Sequence, residues 1–124
     1  MMDKYTDVMK QSLNVLETMT EGLIHIQKQL GEGKAPDAIQ LMDDMMVGFM
    51  SVKQSLEPVF EELEGTDIAT QQLEKVSETL ERVVTAFEGE AYGTVSEVLQ
   101  FTLVPEVKKL HSALEELFKP YLVS

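Results

Sequence analysis

A chain of 124 residues with 44% apolar content is long enough for one domain with a real core, taken here as 1–124. It has no cysteine, which excludes disulfides and thiol catalysis and fits a reducing cytoplasm, where we expect the protein. Lys and Arg total 10 against 22 Asp and Glu, a net charge of −12, and without a basic stripe we expect no nucleic acid and no membrane among its partners.

The first segment carries Tyr5, Met9, Ser12, Leu16, Met19, Leu23, Ile26 and Leu30 at alternating steps of four and three. That is the seam of a bundle helix, and Gly31 and Gly33 stop it. Met1 to Lys10 mixes acids with bases and precedes no apolar block, so it reads as no signal peptide. No apolar run approaches the length of a membrane-spanning helix.

The second helix opens at Pro36-Asp37, a proline suited to the first turn followed by an acid that the helix dipole favours. Its stripe is read as Ile39, Met42, Met46, Phe49, Leu56, Phe60 and Leu63, widened by Ala38, Leu41, Met45, Val52 and Val59. Pro58 removes one backbone bond near its end, and Gly65 closes it. The third helix, from about Thr66 to Phe87, repeats the alternation with Ala69, Leu73, Val76, Leu80, Val83 and Phe87. Glu74, Glu78, Glu81 and Arg82 take its other face, and Gly89 ends it.

The fourth helix is expected to start near Thr94, because Thr94-Val-Ser-Glu97 matches a capping box. Leu99, Leu103, Val107, Leu110, Leu114, Leu117 and Tyr121 form its stripe, and Pro105 predicts a kink or break. VLQFTLV, residues 98–104, alternates like a strand, but no partner strand is available and helix is kept. Shifting the first helix by 57 residues lays Leu16 on Leu73, Leu23 on Leu80 and Leu30 on Phe87. A shift of 56 for the second helix lays Ile39 on Val95. The pattern resembles two helical hairpins in tandem, although any two heptad helices superpose to some degree. Short loops make neighbours antiparallel, so the predicted fold is all-α: an up-down-up-down four-helix bundle, its fourth helix kinked near Pro105.

Chemistry is hard to find. A di-iron bundle needs Glu-x-x-His on two helices, and none occurs. His25 with Glu21, and His111 with Glu115, would share a metal only if the first and fourth helices brought them together. The carboxylate spacing of all-α nucleotide pyrophosphatases fails, because a run begun at Glu61-Glu62 needs its third acid at Gly65. Nucleophile elbows and phosphate-cradling loops are absent. We therefore predict no catalytic residue, no metal ligand and no cofactor.

DDMMVGFMSV, residues 43–52, is the remaining signal. Met42, Met46 and Phe49 fall on the core stripe and Met45 lies beside them, while Val47 and Met50 fall off it. Gly48 costs roughly 1 kcal/mol relative to alanine in mid-helix, which points to close packing there. One reading makes the run a broad core face plus a flank on the next helix. The other makes Met45, Val47, Phe49 and Met50 an adaptable surface for a protein partner or a second copy of the chain, since methionine suits varied apolar partners.

EGKAPDAIQLMDDMMVGFMSVKQSL, with the later AFEGEAYGTVSEVLQFTLVPEVKKL, resembles segments of uncharacterised small bacterial helical-bundle proteins. The likeness lies in the Glu32-Gly33 turn, the apolar helix from Ile39 to Phe49, the Glu88-Gly89 turn and the Val104-Pro105 step. It implies a small helical domain of unknown role. The function expected is a non-enzymatic interaction module, chaperone-like in binding an amphipathic helix or else a homodimer. The alternative is a metal- or nucleotide-dependent hydrolase whose carboxylates converge only in the fold.

Overall fold

Each of the four predicted seams folds into a helical rod whose buried side chains recur every three or four residues. The computed structural model describes residues 2–122; Met1, the first residue of the stretch read for a signal peptide, lies outside them. A short 3₁₀ turn, Met2–Tyr5, leads into α1 (Thr6–Gly31), α2 (Ala35–Glu62) and α3 (Asp67–Glu88). The fourth rod is α4 (Tyr92–Val98), a π turn (Leu99–Leu103) and α5 (Val104–Leu122), helical without interruption. No strand occurs among the described residues. The protein is an all-α helical bundle, and VLQFTLV is helical.

In α1, Met9, Ser12, Leu16, Met19, Leu23 and Ile26 are buried, with Tyr5 and Leu30 half-buried at the ends. In α3, Ala69, Leu73, Val76, Leu80, Val83 and Phe87 are buried and the four charged residues named above are exposed. In α2 the seam differs from the stripe read in the sequence. It runs Ala38, Met42, Met45, Phe49, Val52, Leu56, Val59 and Leu63, a strict alternation of four and three. Ile39 is exposed, and Met46 and Phe60 are half-buried flanks. The larger side chain at 39 masked the smaller one at 38 as the true seam position.

Adjacent rods run antiparallel by residue number. Gly22 of α1 faces Met45 of α2, and Val15 faces Gly48. Met42 and Phe87 line one cavity, while Lys53 reaches Ser77. Between the first and fourth rods, Glu17 meets His111 and Gln27 meets Ser96. The buried side chains of all four rods form one cluster.

Two helix ends are built alike. At the end of α1, Lys34 N–H donates to Gln29 O and Gly33 N–H to Leu30 O, the paired bonds of a Schellman cap, with Gly33 left-handed at φ 73°. At the end of α3, Ala91 N–H donates to Ala86 O and Glu90 N–H to Phe87 O. Here the left-handed position is Glu90, φ 55°, which costs a residue with a Cβ roughly 1–2 kcal/mol. Because this cap ends at Ala91, α4 starts at Tyr92, with Val95 N–H donating to Ala91 O. Thr94 therefore lies inside the first turn, and the expected capping box is not made.

The π turn explains the fourth stripe. Val95, Leu99, Leu103 and Val107 are all buried, three successive steps of four. On a regular α-helix, at about 100° per residue, those steps drift by about 120°. The bond from Val104 N–H to Leu99 O spans five residues instead of four, so the π turn absorbs one extra residue and returns the drift to about 20°. Pro105 follows without ending the helix. Proline alone does not demand such a turn, since Pro58 sits inside α2 with no change of helix type. The same extra residue corrects the offset between hairpins. Ala38 and Val95, each following its cap, correspond at 57; beyond the π turn Phe49, Val52 and Leu56 correspond to Val107, Leu110 and Leu114 at 58.

Candidate functional site

The methionine run divides between inside and outside. Phe49 is 0% exposed and belongs to the core; its place on the α2 seam removes it from any partner surface, contrary to its candidacy. Met45 is half-buried and lies flat on α1, where a Cβ on Gly22 would come within 2.6 Å of its Sδ. The close approach predicted for Gly48 thus falls at Gly22: a Cβ on Gly48 would meet only Val15 Cγ1, at an ordinary 3.8 Å. Val47 is 69% exposed and Met50 42%, so these two of the four candidates are free to touch a partner.

Met50 belongs to a strip along the α3 side of α2. Ile39 and Asp43 line a groove there with Met42, and Val84, Phe87 and Glu88 line it from α3. Further along, Lys53 Nζ donates to Ser77 Oγ at 3.3 Å and pairs with Glu74 at 3.7 Å. Between these ends the helical repeat places Met46 and Met50, since 39, 43, 46, 50 and 53 alternate four and three. The backbones of α2 and α3 come close together at far fewer positions than those of α1 and α2. The groove, about 200 Å³, is smaller than the roughly 300–1,000 Å³ of small-molecule sites. It has room for side chains of a partner.

A second cleft, about 470 Å³, lies between α1 and α5 and is lined by Glu17, Thr20, Glu21, Lys108, His111 and Ser112. His111 Nε2 approaches Glu17 Oε1 to 3.2 Å, although the approach lacks hydrogen-bond geometry. The partner of His111 is therefore Glu17, across the seam, rather than Glu115 on its own helix. His25 is exposed and lies two turns along α1 from Glu17, roughly 12 Å. The two histidines are not brought to one site. Among the described residues, no group of three or more His, Asp or Glu is placed to hold a metal ion. No helix among them is long and apolar enough to cross a membrane.

A four-rod bundle with an apolar flank on α2 and a polar cleft between α1 and α5 is the frame in which the sequence comparison falls. A family model described as Domain of unknown function (DUF8042) matches residues 7–113. The chain belongs to this DUF8042 family. The match takes in nearly all of α1, then α2 to α4, the π turn and the first half of α5, and so covers the first hairpin, most of the second and the whole α2–α3 groove. No curated protein and no solved structure matches the chain.

Sequence reading did not single out Phe101, 71% exposed on the π turn, and it put exposed Tyr121 on the fourth stripe, where Phe118 is the buried residue. Phe101 counted as part of an apolar alternation, and the three successive four-residue steps from Val95 to Val107 were the available sign that the register breaks there.

Proposed function

We propose that the protein is a non-enzymatic interaction module of a bacterial cytoplasm, holding a protein partner on the outer flank of α2. The exposure of Val47 and Met50 carries this reading. The core face of α2 is already complete from Ala38 to Leu63, so these apolar side chains contribute nothing to the bundle interior and stay in water until something covers them. Methionine adapts its shape to an apolar partner at low strain, and a helix laid in a groove is the recognition mode a helical bundle offers most directly. The lack of cysteine in all 124 residues fits the reducing compartment. A hydrolase is the weaker alternative: the cleft between α1 and α5 holds the two carboxylates Glu17 and Glu21, but among the described residues no three acidic or histidine side chains are placed to hold a metal ion.

The test is Met50→Lys. At a site 42% exposed, the substitution is expected to change stability by no more than about 0.5 kcal/mol. It is also expected to abolish retention of a protein that the native chain captures from a lysate, or dissociate a dimer seen by light scattering. A large fall in melting temperature, or unchanged capture and assembly, contradicts the reading.

A further inference from the structure

We infer that the α2–α3 groove binds a basic amphipathic helix of a partner protein. The inference rests on the interaction reading and gives it a site and a class of ligand. The two walls of the groove are alike in chemistry: each sets two apolar side chains, Ile39 and Met42 of α2 or Val84 and Phe87 of α3, beside one carboxylate, Asp43 or Glu88. Along α2 the helical repeat carries the apolar strip on from exposed Ile39 through half-buried Met46 to exposed Met50. Asp43 and Glu88, one on each wall, are both exposed. The base in the strip, Lys53, is engaged by Glu74 and Ser77. A ligand that satisfies the groove needs an apolar stripe with positive charge beside it. An amphipathic helix with lysine or arginine on its polar face has both, and the net charge of −12 steers it inward. The strip from Ile39 to Lys53 extends about 21 Å, or roughly four helical turns.

The probe is a labelled peptide of about 18 residues, roughly 27 Å as a helix, with leucine on one face and lysine on the other. Its counterpart carries glutamate in place of lysine. Fluorescence anisotropy with the full chain is expected to show the lysine peptide binding at least about tenfold more tightly than the glutamate peptide, weakening as salt is raised. Met50→Lys is expected to weaken the lysine peptide by about tenfold or more. The double variant Asp43→Lys with Glu88→Lys alters exposed side chains only, and is expected to lose the lysine peptide and gain the glutamate one. Equal binding of both peptides, binding indifferent to both variants, or no binding of either overturns the inference. A lysate partner lost with Met50→Lys while the lysine peptide fails to bind overturns the basic-helix assignment and leaves the interaction module standing. A dimer that Met50→Lys dissociates, with no peptide binding, makes the occupant a second copy and likewise overturns it.

Discussion

At the scale of single residues, two glycines do opposite jobs on the α1–α2 seam. Gly22 makes room for the Met45 thioether, whereas Gly48 leaves space that a methyl group can fill. Gly48→Ala is therefore expected to raise stability by about 0.5–1 kcal/mol, the ordinary helix gain. Gly22→Ala is expected to lose about 0–2 kcal/mol, because displacing Met45 offsets that gain. Urea unfolding midpoints of the two variants should move in opposite directions or differ by that margin. Reading the sequence placed the close contact at the wrong glycine, since both sit mid-helix and spacing alone does not say which faces a bulky neighbour. Leu23 and Leu80 were legible from their seams and are fully buried. Truncating either to alanine is expected to cost about 2–5 kcal/mol, and near-neutral midpoints would contradict that burial.

At the scale of elements, the heptad alternation made α1 and α3 readable almost residue by residue, because their seams contain large apolar side chains at every turn but one, Ser12 or Ala69. The α2 seam was harder to read because Ala38 is small and Ile39 is large. The fourth rod was harder still. Its extra residue mimics a strand in a short window, and its helix start is set by the backbone cap at Glu90 and Ala91, not by the threonine that looks like a cap. The register account of the π turn makes a specific prediction. Deleting exposed Gln100 converts the rod to a regular α-helix with Val95, Leu99, Leu103 and Val107 still facing inward. That variant is expected to stay folded, within about 1 kcal/mol of the parent. Deleting exposed Ser112 has no such compensation: it swings Leu114 and Phe118 by about 100°. Circular dichroism and thermal melts of the pair check this; a collapse of the Gln100 deletion to the level of the Ser112 deletion would contradict it.

At the scale of the whole molecule, the apolar stripes of all four rods are spent on the interior, and the flank of α2 is not. Val47 and Met50 were legible as off-seam residues because their angles on the helix exclude them from the core. The groove beside them was not legible, since its width depends on how loosely α2 and α3 meet, which no single helix pattern encodes. Two of the 22 acids, by contrast, gain a location: Asp43 and Glu88 stand beside the apolar lining of the groove. Methyl spectra of the labelled methionines test this account most directly. On adding the lysine-faced peptide, the account predicts that the Met46 and Met50 signals move while those of buried Met9 and Met19 stay in place. Stationary Met46 and Met50 signals, or shifts spread equally over the core methionines, would contradict it.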